Sequence, residues 1–299
     1  MEETKYIWMD GKFVEWKDAK IHVLTHTLHY GLGVFEGIRF YNTEKGPAVF
    51  RLKEHVERLF YSAENSEIKI PFSKSEIERA IIETVKKNEI SSGYIRPIVY
   101  YGYGKMGLNP DGAPINVAIA VWPWGAYLGD KPIKVRTTSF IRIHPNSTKA
   151  DLKICGHYVN SIFASLETHK KGYDEALLLD FKGNIAEGPG ENIFIVKDNI
   201  IYTPSLGNIL KGITRDSIIQ IAKNEKMKVK EKKLKLEDVY NADEAFFTGT
   251  AAEVTTIASL DDKQIKNAPG PINQKLKSIF MGIIAGKNKK YEDWLSYIN

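Results

Sequence analysis

Cysteine is nearly absent from this sequence, which has one thiol, Cys155, in 299 residues. A single thiol cannot form an internal disulfide and excludes a cysteine-rich zinc site, so the composition fits a reducing compartment. No uncharged apolar run approaches the roughly 20 residues that a membrane-spanning helix needs. Residues 1–5 begin acidic and lack the apolar segment of a signal peptide. We therefore expect a soluble, cytoplasmic protein that has no membrane partner.

A concentration of positive charge is also missing. The formal net charge is +5, but lysine and glutamate are mixed along the chain and form no basic block. This pattern argues against a nucleic-acid partner and weakly favours small anionic ligands. The sequence contains neither a Walker phosphate loop nor the Gly-x-Ser-x-Gly turn of serine hydrolases. Those two chemistries are therefore disfavoured as well.

One glycine-rich motif is similar to a dinucleotide fingerprint but lacks its context. Residues 102–107 read Gly-Tyr-Gly-Lys-Met-Gly and follow a predicted strand. Residues 108–112 include Asn, Pro, Asp and Gly, which predict a turn rather than a helix whose N-terminus receives a pyrophosphate. We expect a flexible loop here, with a dinucleotide site as the less favoured alternative.

Two other groups of reactive side chains are interpreted as structural. His22, His26 and His29 lie on a stretch expected to be extended or irregular, without an acidic ligand nearby, so the sequence predicts no metal site. Cys155 is close to His157 in sequence. Adjacent residues on an extended chain point apart, which favours a small packed thiol over a nucleophile with its base.

Hydrophobic periodicity indicates both helices and strands. It predicts helices at 52–68, 74–88, 159–171 and 273–285, and another opening at 212–216. It also predicts strands or their approaches at 21–24 and 34–41, a strand at 94–101 interrupted only by Pro97, strands at 115–122, 133–141 and 244–250, and hairpins turning at 182–183 and 198–199. Hairpins mixed with helices, without regular strand–helix alternation, indicate an α+β (mixed α/β) fold. Segment 123–132 contains Gly and Pro but also Trp and Tyr. We expect it to connect a domain at 1–122 with one at 133–299 and to form a pocket wall.

The most informative stretch runs from Lys153 to Asn192. Lys153 lies between Leu152 and Ile154, and burial among such neighbours favours the neutral amine. A neutral amine is a nucleophile that can hold an aldehyde cofactor as a Schiff base. Glu187 lies on a turn rich in Gly and Pro, where a carboxylate is suited to face a ring nitrogen of such a cofactor.

A phosphate on that cofactor needs backbone N–H groups and a guanidinium. The helix predicted to open at 212–214 offers N–H groups, and the small residues at 249–252 permit close approach of the backbone. Arg58 lies on the predicted helix 52–68, where periodicity alone favours a solvated face. The residues alone therefore leave the guanidinium unassigned.

Taken in order, the motifs of the whole chain resemble those of the branched-chain amino acid aminotransferases, which are class IV pyridoxal-phosphate enzymes of fold type IV. The motifs that carry the resemblance are 29–31, 34–39, the helix around Arg58, 94–97, 123–129, Lys153 with Tyr158, 187–192, 212–216 and 249–253. So many motifs in one order exclude chance similarity. The resemblance implies a small α/β domain followed by a larger pseudo-barrel domain.

The resemblance implies a site for pyridoxal 5′-phosphate. Lys153 would be the Schiff-base lysine and would move the proton between the substrate Cα and the cofactor C4′. Glu187 would pair with the pyridine nitrogen, and Tyr158 would bond to the ring oxygen. The residues implied around the cofactor are Arg58, Lys153, Tyr158, Glu187, Leu210, Ile213, Thr214 and Thr250, of which Arg58, Ile213, Thr214 and Thr250 would bind the phosphate.

The resemblance also implies a substrate site. Its apolar pocket would consist of Phe35, Gly37, Trp124 and Tyr127, with Tyr30 and Leu108 supplied by a partner subunit. The α-carboxylate would contact Tyr94 and the backbone of Ala251 and Ala252, and the distal carboxylate of glutamate would contact Arg96. Thr250 is implied as a further substrate-binding residue. One recessed arginine in an apolar pocket would let a single site accept both leucine-like and glutamate side chains.

The implied activity is amino-group transfer from L-leucine, L-isoleucine or L-valine to 2-oxoglutarate by a ping-pong mechanism. The products are branched-chain 2-oxo acids and L-glutamate, and the implied assembly is a homodimer or a higher homo-oligomer such as a hexamer. Alternatives of the same fold type are a D-amino acid or (R)-amine transaminase and an aminodeoxychorismate lyase. A non-catalytic binding protein is the alternative from a different class.

Overall fold

The computed structural model describes residues 2–125, 128–129 and 131–298. The chain divides into two compact units. Unit 1 comprises Met1–Gly125, Leu152–Gly156 and Gly282–Asn299, and unit 2 comprises Ala126–Asp151 and His157–Met281. Each unit is assembled from separate segments of the chain, whereas the expected functional domains, 1–122 and 133–299, are continuous and stay a prediction.

Within the described residues, no helix is long and apolar enough to cross a membrane. The same residues contain no group of three or more His, Cys, Asp or Glu side chains that could hold a metal ion. Metal sites in proteins are built from such groups.

Unit 1 is built on an eight-stranded sheet, counted over the described residues. Its strands are β1 (Tyr6–Met9), β2 (Lys12–Glu15), β3 (Gly33–Phe35), β4 (Ile38–Thr43), β5 (Gly46–Phe50), β6 (Gly93–Tyr101), β7 (Ile115–Trp122) and β16 (Leu295–Tyr297). The order is β16-β5-β4-β6-β7-β1-β2, with β3 paired to β6. Its helices are α1 (His26–Tyr30), α2 (Leu52–Glu64) and α3 (Lys74–Asn88), with short 3-10 turns at Trp16–Asp18 and Lys289–Trp294.

The two longer helices of unit 1 follow from their side-chain patterns. α3 begins after Ser73, whose hydroxyl accepts the Glu76 N–H while the Glu76 carboxylate accepts the Ser73 N–H, forming a capping box. α2 and α3 bury Leu59 and Ile81 in one core with the sheet. Both predicted helices are confirmed, although α2 ends at Glu64 rather than at residue 68.

β6 passes through Pro97 without interruption, although a proline cannot donate to a strand ladder. Pro97 lies opposite Ile119 of β7, and the β6–β7 pairing continues on both sides. On the other edge of β6 the partner strand changes here, because β3 ends at Phe35 and β4 begins at Ile38. The Glu36 N–H donates to the Pro97 carbonyl across this break (2.9 Å). Glu36 therefore lies between two short strands rather than within one.

The expected strand at 21–24 is wrong. Its apolar side chains are exposed: Ile21 by 51%, Val23 by 67% and Leu24 by 43%. The Thr25 N–H donates to the His22 carbonyl, which closes a turn at this point. No neighbouring strand of the described residues pairs with this stretch, so its apolar residues are not part of a sheet.

The stretch that follows is helical rather than extended. α1 ends at Gly31, whose φ of 73° is the left-handed conformation that glycine adopts easily. His26 is buried, and its Nε2 is 2.8 Å from the Gly107 carbonyl oxygen. The exposed His29 likewise bonds to the Val23 carbonyl. Both histidines therefore have backbone partners, in agreement with a structural role.

Unit 2 is built on a second eight-stranded sheet, again counted over the described residues. Its strands are β8 (Ile133–Ile141), β9 (Glu175–Leu179), β10 (Asn192–Lys197), β11 (Ile200–Thr203), β12 (Lys228–Glu231), β13 (Glu244–Gly249), β14 (Glu253–Leu260) and β15 (Lys263–Gln264). The order is β12-β11-β10-β13-β14-β8-β9, with β15 paired to β14. The helices are α4 (Tyr158–Lys170), α5 (Ile213–Asn224), α6 (Leu236–Tyr240) and α7 (Pro271–Ile284), the last three residues of α7 being assigned to unit 1. A 3-10 turn at Cys155–His157 precedes α4, and its first two residues belong to unit 1.

Strand directions in unit 2 are mixed. β8 is parallel to β9 and β14, and β11 is parallel to β12, whereas β10, β11, β13 and β14 are joined by antiparallel pairs. The predicted hairpin at 198–199 is confirmed, with positive φ at both Asp198 (50°) and Asn199 (58°). Two-residue turns of this kind match the twist of the strands they join. The predicted mixed α/β class is confirmed.

The core of unit 2 contains a stacked aromatic pair. Phe194 of β10 and Phe246 of β13 lie opposite each other in register and are fully buried. Their ring centroids are 5.2 Å apart and their planes differ by 4°.

Phe246→Ala removes one ring of this pair and leaves a cavity. We expect the free energy of unfolding to fall by about 3–5 kcal/mol, measured by urea denaturation. Phe181→Ala is the control, because this ring is 40% exposed, and its effect should stay within about 0.5 kcal/mol. Equal losses for the two variants would contradict the placement of Phe246.

Candidate active site

Lys153 is held through its backbone. Its carbonyl accepts the Phe35 N–H (3.1 Å), and its own N–H donates to Ser62 Oγ on α2 (3.1 Å). Ile154 continues this contact by bridging to Val34. The Lys153 Nζ lies 4.8 Å from the centroid of the Phe35 ring. The half-buried lysine is therefore fixed beside β3, with its amine against an aromatic face.

Arg58 does not lie on a solvated face, and the expectation from periodicity alone is wrong. Its side chain is 10% exposed and pairs with Glu36 through two bonds, Nε–Oε1 at 2.6 Å and Nη2–Oε2 at 2.9 Å. His55, on the same face of α2, donates from Nδ1 to Glu36 Oε2 (2.7 Å). The break between β3 and β4, which carries Glu36, covers this face of the helix.

Glu36 and His55 have shifted pKa values. Burial raises the pKa of Glu36, but the charges of Arg58 and His55 and their hydrogen bonds outweigh it and hold the pKa well below its usual range. Burial lowers the pKa of His55, in spite of the opposing effect of Glu36. At neutral pH the group therefore contains an ionised carboxylate, a neutral imidazole and a guanidinium.

A second group in unit 1 surrounds Arg96 on β6. Its guanidinium carbon lies 4.9, 5.2 and 5.8 Å from the ring centroids of Phe35, Tyr94 and Trp122, within the range of cation–π attraction. Nη2 donates to the Tyr94 hydroxyl at a long 3.4 Å. The buried Nε has no hydrogen-bond partner among the described residues. Rings rather than an acid hold this guanidinium, so it keeps its capacity to bind a carboxylate.

Tyr94 connects Arg96 to two further residues of the predicted pocket. A Cβ at Gly37 would collide with the Tyr94 hydroxyl, so glycine is required there. The Trp124 ring packs edge-on against Tyr94, with centroids 4.6 Å apart. Arg39 donates from Nη2 to the Trp124 carbonyl (3.3 Å), which fixes the backbone of this residue.

Tyr30 and Leu108 are exposed by 42% and 87%. They lie on linked segments, since His26 of α1 contacts the Tyr30 ring at 4.6 Å and bonds to the Gly107 carbonyl. Exposed apolar side chains of this kind are suited to contact another molecule.

The glycine motif at 102–107 is followed by turns and not by a helix, as the sequence predicted.

In unit 2, Glu187 is buried and held by three donors. Arg142 Nε donates to Oε1 (2.6 Å) and Asn192 Nδ2 donates to Oε2 (3.1 Å), while the Leu210 N–H is shared between Oε2 (3.1 Å) and Oε1 (3.3 Å). A carboxylate withdrawn from water requires such partners. These contacts fix the orientation of the carboxylate within unit 2.

Asn192 also organises the start of α5. Its Nδ2 donates to the Leu210 carbonyl (3.1 Å), and its Oδ1 occupies the space that a side chain at Gly212 would fill. Gly212 is the N-cap and supplies no side-chain cap. The N–H groups of Ile213 and Thr214 at the first turn therefore have no partner within the helix. Such an N-terminus favours a phosphate.

Residues 250–252 form the turn between β13 and β14. Gly249, directly before this turn, lies against the Gly190 carbonyl, which would be 3.1 Å from a Cβ at 249. The small residue permits this close approach. The turn that follows Glu187 and the turn that contains Thr250 are therefore neighbours within unit 2.

The predicted site residues form one group in each unit. Unit 1 contains Tyr30, Phe35, Gly37, Arg58, Tyr94, Arg96, Leu108, Trp124 and Lys153, all but the exposed Tyr30 and Leu108 linked by the contacts above. Unit 2 contains Tyr158, Glu187, Leu210, Ile213, Thr214, Thr250, Ala251 and Ala252. Tyr158 is the half-buried first residue of α4, and Tyr127 lies outside the described residues.

Four residues that support these groups escaped sequence reasoning: Glu36, Ser62, Arg142 and Asn192. Glu36 and Asn192 lie inside the motifs at 34–39 and 187–192, so membership in a motif was a usable signal. Ser62 and Arg142 gave none, because a serine on a helix and an arginine after a strand are ordinary. Their roles depend on partners distant in sequence.

Cys155 is a free thiol of intermediate exposure. Burial raises its pKa to about 11, because it disfavours the thiolate. His157 bonds to the Thr148 hydroxyl, with 2.8 Å between Nε2 and Oγ1. These observations agree with a packed structural thiol rather than a nucleophile.

Residues 33–260 match a family model described as amino-transferase class IV. A branched-chain-amino-acid aminotransferase of Pseudomonas aeruginosa is 48% identical over 297 residues, which cover 98% of this chain and 97% of the relative. A branched-chain-amino-acid aminotransferase of Escherichia coli strain K12 is 41% identical over 305 residues, covering 100% of this chain and 99% of the relative.

A crystal structure of the T.th. branched-chain amino acid aminotransferase with pyridoxamine 5′-phosphate matches with a TM-score of 0.97, 44% identity and complete coverage of both chains. The predicted resemblance is thereby confirmed. This chain belongs to the class IV amino-transferase family, and the relatives that match its full length are branched-chain-amino-acid aminotransferases.

Proposed function

We propose that this protein is a pyridoxal-phosphate-dependent branched-chain amino acid aminotransferase. It transfers the amino group of L-leucine, L-isoleucine or L-valine to 2-oxoglutarate by a ping-pong mechanism, giving branched-chain 2-oxo acids and L-glutamate. The observation that carries the proposal is an arginine, Arg96, surrounded by aromatic rings in the same cluster as Lys153. The names of the full-length relatives support the same activity.

The residues present fit a phosphate-bearing aldehyde cofactor. Unit 1 offers the amine of Lys153 and the oriented guanidinium of Arg58. Unit 2 offers the fixed carboxylate of Glu187 and the uncapped N-terminus of α5 at Ile213. When bound, pyridoxal 5′-phosphate supplies an electron sink for negative charge at the substrate Cα.

The proton transfers fall to Lys153 and Glu187. Lys153 Nζ would hold the aldehyde carbon covalently and, once released, carry the proton between the substrate Cα and the cofactor C4′. Because Phe35 and Ser62 fix its backbone, the amine moves only through its own side-chain torsions. Glu187, held by Arg142, would keep a proton on the pyridine nitrogen.

The remaining cofactor residues bind and orient. Tyr158 would bond to the ring oxygen, Leu210 would complete the contacts of the cofactor, and the phosphate would contact Arg58, Ile213, Thr214 and Thr250. A phosphate accepts hydrogen bonds from both kinds of donor named here, a charged guanidinium and backbone N–H groups at a helix start.

Substrate choice falls to residues of the aromatic cluster. The apolar pocket would be formed by Phe35, Gly37, Trp124 and Tyr127, with Tyr30 and Leu108 from a partner subunit. Tyr94 and the backbone of Ala251 and Ala252 would bind the α-carboxylate, Thr250 would also contact the substrate, and Arg96 would bind the distal carboxylate of glutamate. The D-amino acid and (R)-amine transaminases and the aminodeoxychorismate lyases are not favoured, because the full-length relatives have the branched-chain name.

The proposal includes a homodimer or a higher homo-oligomer. One face of α4 consists of apolar residues at helical spacing, and all are about half exposed: Val159 53%, Ile162 55%, Phe163 51% and Leu166 50%. Phe163 also stacks on Phe140 of β8, which is itself 39% exposed. An apolar face of this kind marks a contact surface, and a second copy is the occupant that also accounts for the exposed Leu108. Two further parts of the proposal rest on the sequence alone. One is a cytoplasmic location, and the other is that 123–132 connects the functional domains.

Lys153→Ala tests the proposed reaction. We expect kcat for L-leucine with 2-oxoglutarate to fall by at least about 10²–10⁴-fold, because the proton carrier is lost, and the borohydride-sensitive visible absorbance to disappear. Lys149→Ala, an exposed lysine four positions earlier, is the control and should retain both. Full turnover by Lys153→Ala would falsify the assignment. Wild-type activity confined to D-alanine and (R)-1-phenylethylamine would instead support the transaminase alternatives.

Arg96→Leu should separate the two substrates. We expect kcat/KM for L-glutamate to fall by about 10- to 150-fold, since hydrogen bonds to charged groups contribute about 1.5–3 kcal/mol, while kcat/KM for L-leucine changes little. Arg79→Leu, an exposed arginine on α3, is the control. Equal losses for leucine and glutamate would show that Arg96 supports the pocket without reading the distal carboxylate.

Ile162→Asp should weaken the proposed oligomer. Burying an unpaired carboxylate in an apolar contact is costly, so light scattering should show the molar mass shifting towards that of the monomer at equal protein concentration. Met281→Asp, at a side chain 41% exposed on α7, is the control. A wild-type protein that is monomeric would contradict the proposed contact.

A further inference from the structure

The Glu36 carboxylate, at the break between β3 and β4, accepts hydrogen bonds from several donors. Glu36 is fully buried and accepts both bonds from Arg58, one from His55 and one from the Gly37 N–H (3.2 Å). A buried carboxylate with so many donors has a fixed orientation. Its partner guanidinium is fixed with it, because the two planes share two parallel hydrogen bonds.

Both ionised groups of this pair persist at neutral pH. The charge and hydrogen bonds of Arg58 and His55 hold the pKa of Glu36 well below its usual range, and burial keeps the pKa of His55 below its own. His55 is therefore a neutral donor and adds no competing positive charge. The single cation that faces Glu36 within this group is Arg58.

The pairing uses one edge of the guanidinium, formed by Nε and Nη2. The direction of the opposite edge, which carries both Nη groups, is thereby set. An arginine side chain otherwise has rotamer entropy to lose when it binds a ligand. Glu36 removes most of that freedom in advance, which is preorganisation of an anion-binding group.

We propose that Glu36, supported by His55, is a positioning residue that holds Arg58 in the orientation needed to bind the 5′-phosphate of the cofactor. The inference rests on the proposed function, because the role of Arg58 at the phosphate comes from there. Glu36 itself carries the charge sign of the phosphate and does not bind it. Its effect on the phosphate passes through the guanidinium, and it therefore acts on phosphate-bearing cofactors specifically.

Glu36→Gln tests this inference by comparing pyridoxal 5′-phosphate with pyridoxal, which lacks the phosphate. The full-length protein, freed of cofactor, is titrated with each compound while protein fluorescence is followed. We expect the Kd of pyridoxal 5′-phosphate to rise about 10- to 100-fold, because charge-assisted bonds that orient Arg58 are lost. The Kd of pyridoxal should be unchanged, which a general structural defect would not produce.

Glu54→Gln is the matched control. Glu54 also pairs with the Nε of a buried arginine, Arg51, at the start of the same helix. Its variant should leave both Kd values unchanged. Equal weakening by Glu36→Gln and Glu54→Gln, or equal weakening of both compounds by Glu36→Gln, would overturn the positioning role.

Two further variants separate this inference from the proposed function. Arg58→Ala should abolish the preference for pyridoxal 5′-phosphate over pyridoxal, and adding Glu36→Gln to it should have no further effect. If Arg58→Ala leaves the preference intact, the phosphate role of Arg58 is wrong and the inference falls with it. If Arg58→Ala abolishes the preference but Glu36→Gln leaves it intact, the inference is wrong while the proposed function stands. Should Glu36→Gln fail to fold, His55→Leu provides the test, with an expected loss of about 2- to 10-fold for pyridoxal 5′-phosphate only.

Discussion

A carboxylate can be buried only together with groups that pair with it, and each unit satisfies this constraint where its chemistry is proposed. In unit 1, Glu36 is paired with Arg58 and His55, and in unit 2, Glu187 is paired with Arg142. Each acid lies at an interruption of the regular backbone, the first between β3 and β4 and the second on the turn before β10. Removing one partner of such a pair costs about 3–5 kcal/mol. The paired acids therefore have fixed orientations, and their hydrogen bonds connect the irregular segments that carry them to the neighbouring elements.

From these points the reactive groups of unit 1 are positioned through backbone and helix geometry. Phe35, directly before Glu36, donates its N–H to the Lys153 carbonyl, so the support of the amine and the buried acid are consecutive in sequence. Arg58 and Ser62 are one helical turn apart on α2. Ser62, fully buried, receives the Lys153 N–H. One strand end and one helix face thus set the relative position of the guanidinium and the amine, the two groups expected to contact the phosphate and the aldehyde carbon of one cofactor.

Local sequence patterns predicted the parts of this fold whose causes are local. α3 and β7 have the expected bounds, because a capping box starts the helix and a continuous apolar run makes the strand. Lys153, Glu187, the helix start at 212–214 and the small residues at 249–252 were candidates from their chemistry, and the aromatic residues of 123–132 from their composition. The remaining site residues came from the family resemblance. Arg58 illustrates the limit. Periodicity placed it on a solvated face, because its partner Glu36 is 22 residues away and nothing in the helix itself reveals the pair. The prediction for 21–24 was wrong in the opposite direction. These apolar residues were expected in a strand, but they remain exposed in the single chain.

The two arginines of unit 1 are held by different means, and the difference matches the ligands proposed for them. Arg58 is locked by an acid, which suits a phosphate that stays bound through every catalytic cycle. Arg96 is held by the faces of Phe35, Tyr94 and Trp122, and cation–π attraction of this kind contributes only about 0.5–2 kcal/mol. An acid beside Arg96 would repel the distal carboxylate of glutamate and would make the surroundings of a leucine side chain polar. Aromatic faces avoid both effects. They stabilise the cation when the ligand is apolar, and they leave it able to pair with the carboxylate when the ligand is glutamate. A site that must alternate between an apolar and an anionic side chain therefore needs a loosely held cation, and a site for a permanent phosphate needs a fixed one.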